Sequence, residues 1–239
     1  MYNYKEGKKR IEEILSNNLE IKDNNYLPET DNLTYDNAYY SWVGSIFIDI
    51  RDSSSLFKKE NNEVISKIMK CFTSELIEIL RQSDKWRDIG IRGDCVYAIY
   101  TSPYKQDTYD LYLKAAYCNT FIKMLNKLLS KNNLPSLNVG IGLGESKTLV
   151  IKAGRKNVGI NDNIWIGDSV IDASNFSSIA NNGDFKNIVM SPVFYKYLTE
   201  EHEKAKSFFK KQSSVYGYCY SGDVIMTDFN NWINNNFSD

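Results

Sequence analysis

Apolar and polar positions along the chain follow two periods, and each period predicts a different kind of element. Residues 42–50, WVGSIFIDI, are mostly apolar and predict a buried strand. Residues 61–81 carry apolar side chains at helical spacing, and residues 108–131 predict a second long helix ended by NNLP. Between them, residues 86–100 contain two β-type runs around a Gly-Asp pair, which is typical of a hairpin.

The second half of the chain is richer in predicted strands. SLNVGIGLG, at 136–144, predicts another buried strand. Further strands are predicted at TLVIKAG, NIWIG, NIVMS and VYGYCYSG, the last as an edge strand, with helices at 168–180 and in SPVFYKYL. The order β-α-β-β-α-β favours an α+β fold of the ferredoxin-like type. A doubly wound sheet needs strand–helix alternation, which the hairpin breaks.

The same patterning divides the chain into three predicted parts. Residues 1–40 predict an amphipathic helix followed by a polar, turn-rich loop over 20–40. Residues 41–220 predict one folded domain. Residues 221–239 predict a tail from which no chemistry can be inferred.

Composition removes several classes of function. The net charge is −1 over 239 residues, and no apolar run approaches 18 residues, so neither nucleic acid nor a membrane is an expected partner. The four cysteines form no CxxC pair and are expected to be reduced core residues of a cytoplasmic protein. His202 is the only histidine, which excludes a Ser–His triad and a histidine-rich zinc site. An enzyme of this composition must rely on carboxylates, backbone groups and a metal.

Two acids lie where strands are predicted to end or turn. Asp49 ends the first strand, and Asp94 lies at the hairpin. The two strands are neighbours at the centre of a β-α-β-β unit, so the carboxylates can converge and hold Mg²⁺ or Mn²⁺. Ser53, Ser54 and Ser55 begin a helix whose free N–H groups can bind phosphates. Alternatively, Asp49 and the serines only cap that helix, and Asp94 only stabilises a tight turn.

The glycines of GIGLGESKT resemble a phosphate-binding loop only superficially. The Lys is preceded by Ser146 rather than by glycine, and a strand follows instead of a helix. We interpret Gly140, Gly142 and Gly144 as positions where a neighbouring backbone or a ligand approaches the strand closely.

Four segments together resemble the class III nucleotide cyclases: FIDIRDSSSLF, IRGDCVYAIY, LNVGIGLG and IWIGDSVIDAS. The resemblance implies that residues 41–220 form the cyclase catalytic domain. It also implies two Mn²⁺ or Mg²⁺ ions on Asp49, Asp94 and the carbonyl of Ile50, with the triphosphate on Ser53–Ser55. Phe47 and Arg51, which flank Asp49, are assigned with them to substrate binding. The implied reaction is attack of the ribose 3′-oxygen on the α-phosphorus, which expels pyrophosphate.

Two departures from the family pattern bear on the base. Adenylate and guanylate cyclases carry a base-recognising Lys or Glu where this chain has Gly90, and a second polar residue where it has Ile164. Arg92 is a new polar group nearby, and it is assigned with Ile164 to the substrate site. This pattern looks most like the bacterial Pycsar pyrimidine cyclases. The resemblance implies UTP as substrate, with CTP as the alternative, and an antiphage signal acting on a separate effector.

A third departure concerns the residues that stabilise the transition state. The family's Asn and Arg fall at Ile171 and Asn175, and neither matches. Asn175 and Arg155, with Lys152 and Lys156 behind it, are the candidate catalytic replacements, although Arg155 can equally be a solvated loop charge. A nucleotide-binding sensor without turnover is therefore the alternative function. A diguanylate cyclase is disfavoured, because its hairpin signature is absent from RGDCVY.

Class III sites form between two chains, so the resemblance also implies a head-to-tail homodimer. Apolar residues of the sheet face and Trp165–Ile166 are candidates for its interface, or for the core of the single chain.

Overall fold

A mixed sheet carries the candidate site, and the computed structural model describes it within residues 1–155 and 158–237. Over these residues the main path of the sheet runs β3-β4-β2-β5-β7-β9-β8, while β1 pairs with β2 and β6 pairs with β5. The strands are β1 (Glu20–Asp23), β2 (Asn37–Ile50), β3 (Trp86–Arg92), β4 (Cys95–Thr101), β5 (Val139–Arg155), β6 (Ile160–Ile166), β7 (Ile188–Met190), β8 (Phe209–Ser214) and β9 (Gly217–Gly222).

The helices complete the predicted α+β architecture. They are α1 (Tyr4–Ser16), α2 (Ser53–Lys59), α3 (Asn62–Leu80), α4 (Lys105–Lys131), α5 (Asp168–Ile179), α6 (Pro192–Glu201) and α7 (Thr227–Asn236). The run β2-α3-β3-β4-α4-β5 places its strands in the order β3-β4-β2-β5, with every neighbouring pair antiparallel. This is the βαββαβ arrangement of the ferredoxin-like type, so the predicted fold class is confirmed.

The main core lies between this sheet and helices α3 and α4. Ile46, Ile48 and Ile50 of β2 are buried there against apolar residues of both helices. Side chains alternate along a strand, so Phe47 and Asp49 face the opposite side of the sheet. Helix α5 covers only part of that side, over β5 and β2. The other part, over β2, β4 and β3, is where the site residues collect.

Three local predictions are corrected by the structure, and the predicted tail is described further. Residues 20–40 are not simply a loop, because they contain β1, which pairs in parallel with β2, and a 3-10 turn at Thr30–Asn32. The strands predicted at 136–144 and in TLVIKAG are one continuous strand, β5. VYGYCYSG is not an edge strand, because β9 pairs with both β7 and β8. Most of the predicted tail is helix α7, anchored where the Met226 backbone N–H donates to the Thr120 hydroxyl of α4 (2.8 Å).

The cysteines are free, but they are not all in the core: Cys118 and Cys219 are buried, Cys95 is half-buried and Cys71 is exposed on α3. In the described residues, none of the helices combines the length and apolar character needed to cross a bilayer.

Candidate active site

Three neighbouring strands place the predicted site residues on one open face of the sheet. The register pairs Asp49 of β2 with Cys95 of β4, and Cys95 with Arg92 of β3. Two residues further along the strands, Phe47 of β2 pairs with Tyr97 of β4, and Tyr97 pairs on its other side with Gly90 of β3. Directly paired residues of adjacent strands project from the same face. The pairing of β3 and β4 therefore fixes which side chains surround the end of β2.

A cleft of about 680 Å³ opens where β2 ends. It brings together all the predicted metal and triphosphate residues: Asp49, Ile50, Arg51, Ser53, Ser54, Ser55 and Asp94. Asp94 reaches the cleft from the β3–β4 turn, in which Gly93 adopts a left-handed φ of 63°. The convergence of two acids that are distant in sequence follows from the central position of β2 beside β4.

The electrostatics of this cleft suit a cation. Burial raises the pKa of Asp49, the nearby Asp94 raises it further, and Arg51 opposes both. The Arg51 guanidinium pairs with the Asp49 carboxylate and also donates to the carbonyl oxygen of Ser178. A positive group therefore already lies against Asp49 and opposes the effect of burial on its pKa.

The donor set fits a hard divalent cation. Asp49, Asp94 and the backbone of Ile50 supply oxygen atoms only, which is what Mg²⁺ and Mn²⁺ prefer. In the part of the chain that the structure describes, no three His, Cys, Asp or Glu side chains gather as a metal cluster. Such a cation would therefore complete its coordination with substrate phosphates and water, as Mg²⁺ commonly does.

The turn and helix after Asp49 form the rest of the cleft. Asp52 adopts the left-handed conformation (φ 54°), which turns the chain sharply into α2. Asp52, not Asp49, is the N-cap residue, and its side chain makes no capping bond, so the alternative role of Asp49 as a cap is wrong. Helix α2 has only seven residues, so its dipole is small. Lys58 and Lys59, which also line the cleft, are the stronger source of positive charge.

A second cavity of about 520 Å³ lies over the open face and shares Asp49 with the cleft. Phe47, Arg92 and Ile164, all assigned to the substrate from sequence, line it together with Asp88, Tyr97 and Trp165. The rings of Phe47 and Tyr97 stack with centroids 5.3 Å apart.

Gly90 is explained by the aromatic ring beside it. A Cβ at this position would lie 2.5 Å from Cζ of Tyr97, a distance that real side chains do not tolerate. The Tyr97 ring therefore occupies the space where a side chain at position 90 would begin. The absence of a Lys or Glu at position 90 is thus linked to the presence of the Tyr97 ring beside it.

The predicted catalytic replacements lie elsewhere. Arg155 is exposed at the far end of β5, whereas Asp49 pairs with Gly140 near the beginning of that strand. Asn175 is half-buried on α5 and lines neither cavity. Lys152 is half-buried on β5, and Lys156 lies outside the described residues. Within one chain, the structure does not bring Arg155 or Asn175 to the cleft.

Sequence reasoning missed several residues that line these cavities, and the charged or polar ones among them include Lys58, Lys59, Asp88 and Tyr97. The lysines follow Ser55 by three and four residues, a spacing that places side chains on the same face of a helix. Asp88 lies two residues before Gly90, and the period of two along a strand puts both on one face. Tyr97 could be assigned to the cavity only from the strand register of the β3–β4 hairpin.

Comparison with known proteins gives the class of the chain. Residues 36–224 match the model of the adenylate and guanylate cyclase catalytic domain. The chain is 47% identical over 238 residues to a uridylate cyclase of Treponema porcinum, covering 100% of this chain and 83% of the relative. It is 27% identical over 250 residues to a uridylate cyclase of Gulbenkiania mobilis, covering 98% and 97%. The chain therefore belongs to the adenylate and guanylate cyclase catalytic domain family.

Solved structures agree on the fold. The crystal structure of the adenylyl cyclase CyaB from P. aeruginosa superposes with a TM-score of 0.67 at 18% identity, covering 80% of this chain and 98% of that one. At this identity the likeness concerns the class III cyclase fold alone.

Proposed function

We propose that this protein is a pyrimidine nucleotide cyclase that converts UTP to 3′,5′-cyclic UMP and pyrophosphate. The observation that carries the proposal is the convergence of Asp49 and Asp94 on one cleft with Lys58 and Lys59, in a member of the cyclase family. The names of the two relatives, both uridylate cyclases, support a pyrimidine substrate.

The reaction is an in-line displacement within one nucleotide. The ribose 3′-hydroxyl gives its proton to water, its oxygen bonds to the α-phosphorus, and the bond from that phosphorus to the pyrophosphate oxygen breaks, so that pyrophosphate leaves. Asp49 and Asp94 would hold Mn²⁺ or Mg²⁺, two ions by the family resemblance, and bound metal supplies Lewis-acid stabilisation of the phosphate charge. Lys58, Lys59 and the Ser53–Ser55 turn bind the triphosphate and neutralise the departing pyrophosphate.

The base preference follows from the second cavity. Tyr97 fills the space at Gly90, and Ile164 offers no polar group, so the purine contacts of related cyclases have no counterpart here. Arg92 lines the same cavity and supplies hydrogen-bond donors for a carbonyl oxygen of a pyrimidine. CTP is the alternative substrate.

A homodimer with shared sites is part of the proposal. Ile160, Ile164 and Ile166 of β6 and Ile171 of α5 are exposed, Ile160 at 72%, and we assign them to an apolar surface for the partner. Trp165 is half-buried. A second copy of the chain covering this surface would bring its own Arg155 or Asn175 towards the cleft. We therefore propose Arg155 and Asn175, supplied by the second copy, as the catalytic residues.

The biological setting rests on the Pycsar resemblance. Residues 41–220 would be the catalytic domain of a cytoplasmic enzyme, which signals phage infection through cyclic UMP to a separate effector.

The test is incubation of the purified protein with Mn²⁺ or Mg²⁺ and each of ATP, GTP, CTP and UTP, with mass analysis of the products. We expect cyclic UMP and pyrophosphate from the wild type and at least about a hundredfold less from Asp49→Ala. Asp31→Ala, an exposed acid outside both cavities, is the matched control and should remain active. Cyclic AMP or cyclic GMP as the main product would contradict the proposed base preference.

A nucleotide-binding sensor is the second candidate function. It is favoured by the position of Arg155 and Asn175, which line neither cavity. A sensor would show UTP-dependent melting shifts and no product with any of the four nucleotides.

A further inference from the structure

Asp88 of β3 lies inside the cavity proposed to hold the base. The indole N–H of Trp165 donates to its Oδ2 at 3.0 Å, and the Tyr97 hydroxyl donates to the same oxygen at 3.5 Å. Both side-chain donors use Oδ2, and the backbone N–H of Ile89 also donates to the carboxylate. Each carboxylate oxygen can accept two hydrogen bonds, so Asp88 keeps acceptor capacity for a ligand in the cavity.

The negative charge of Asp88 is not required by its hydrogen bonds within the protein, because a neutral acceptor could make them. None of the ion pairs among the described residues includes Asp88, and the charged side chain that acts on its pKa is another acid, Asp162. Burial raises the pKa of Asp88, and Asp162 raises it further. A neutral asparagine would accept the Trp165 hydrogen bond without this cost. A purely structural role does not explain why an acid stands here.

Position along the strand links Asp88 to the other base-facing residues. Asp88, Gly90 and Arg92 alternate along β3 and share a face, with Tyr97 over the glycine between them. Asp88 and Arg92 are four residues apart, about 13 Å along the strand, so an acceptor and a donor flank the aromatic ring that lies between them. The Watson–Crick edge of a pyrimidine carries both donors and acceptors, and the long arginine side chain can extend along the face towards a base that Asp88 contacts.

We infer that Asp88 is a specificity-determining residue that selects uracil over cytosine by accepting the uracil N3–H. In cytosine N3 is an acceptor, so its lone pair would face a carboxylate and the hydrogen bond would be lost. Arg92 donates to a carbonyl oxygen present in both bases, so it does not discriminate between them in this way. The inference rests on the proposed function and deepens it.

The test is Asp88→Asn, which keeps an acceptor for Trp165 and adds an amide donor that suits cytosine N3. The ratio of kcat/KM for UTP to that for CTP should fall by about tenfold or more. Asp31→Asn removes an exposed charge elsewhere and should leave the ratio unchanged. Asp88→Glu, which keeps the carboxylate, should retain the preference for UTP at lower kcat/KM, and circular dichroism checks that each variant is folded.

Trp165→Phe separates recognition from positioning. It deletes the indole donor and leaves Asp88 in place, so it should lower kcat/KM for both nucleotides by a similar factor. If Trp165→Phe reproduces the altered ratio of Asp88→Asn, Asp88 acts only through Trp165 and the inference is wrong. A wild type that prefers CTP, or an Asp88→Asn protein with an unchanged ratio, also overturns it.

Failure of the proposed cyclase function can be distinguished from failure of the inference about Asp88. If the wild type turns over neither UTP nor CTP, the cyclase proposal fails, and Asp88 is tested through the dissociation constants of the two nucleotides alone. Equal UTP-to-CTP ratios of those constants in wild type and Asp88→Asn would then refute the role of Asp88.

Discussion

At the scale of single residues, a buried acid remote from both cavities sets a pH dependence. Glu145 of β5 is 1% exposed and lies against α4. The Thr108 hydroxyl donates to its Oε2 at 3.4 Å, while Oε1 has no partner among the described residues. Burial raises the pKa of Glu145 to about 8. The carboxyl group is therefore protonated in the folded protein at neutral pH.

Because its pKa is raised in the folded state, Glu145 makes the fold less stable as the pH rises. The folded pKa is above the unfolded value of 4.5, so the contribution of Glu145 is fully present below pH 4.5 and is lost as the pH rises to about 8. The free energy of unfolding should fall across that window by about 1.4 kcal/mol per pH unit from this group. Glu145→Gln should remove that slope, measured by urea unfolding at several pH values.

Glu29→Gln provides the control, because it removes an exposed carboxylate. Its unfolding free energy should follow the pH dependence of the wild type. A Glu145→Gln protein with the wild-type slope would show that Glu145 does not carry the effect.

At the scale of elements, helix α5 lies directly on the backbone of β5. A Cβ added to Gly142 would overlap the carbonyl oxygen of Ala173, and one added to Gly144 would overlap that of Ser169. At Gly140 the carbonyl oxygen of Ser177 would be 2.5 Å away. The interpretation of these glycines as sites of close approach is confirmed, and the approaching group is a backbone.

Gly142→Ala should therefore destabilise the protein, by about 2 kcal/mol or more, because a helix backbone cannot move aside as a side chain can. Thermal unfolding followed by circular dichroism measures the loss. Gly7→Ala is the control: its Cβ would meet the ends of the Tyr2 and Arg10 side chains, Tyr2 is exposed and can move aside, and alanine favours a helix, so Tm should be unchanged or slightly higher. Equal Tm values for the two variants would contradict this packing argument.

The elements also show which parts of the structure were predictable from sequence. Strand β2, the hairpin, and helices α3 and α4 were predicted because their periodicity is local and strong. Strand β1 was missed because four mostly polar residues, EIKD, form a strand only through pairing with β2. The cleft acids were predictable from strand ends. Tyr97 and Asp88 were not, because their position depends on the register between β3 and β4.

At the scale of the whole molecule, the separation of Arg155 from Asp49 gives a direct test of site sharing. If each site takes its acids from one chain and Arg155 from the other, a mixture of Asp49→Ala and Arg155→Ala proteins contains dimers with one intact site. Random exchange makes half of the dimers mixed, each with one of two sites intact, so about a quarter of the wild-type activity should return. Activity assays after mixing and equilibration measure the recovery.

Asp49→Ala mixed with Asp94→Ala is the matched control. Both acids line the same cleft, so every site in that mixture lacks one of them and no activity should return. Recovery in both mixtures, or in neither, would contradict the shared-site arrangement with Arg155.

The contact between Gly90 and the Tyr97 ring also constrains how this protein could have diverged from purine-specific members of its family. A lysine or glutamate at position 90 would require the Tyr97 ring to move, because its Cβ would lie 2.5 Å from Cζ of that ring. The two positions are thus coupled, and the effect of a substitution at one depends on the residue at the other. A path towards a purine enzyme is easier after Tyr97 is replaced with a smaller residue, and a path away from one is easier after the side chain at 90 is lost.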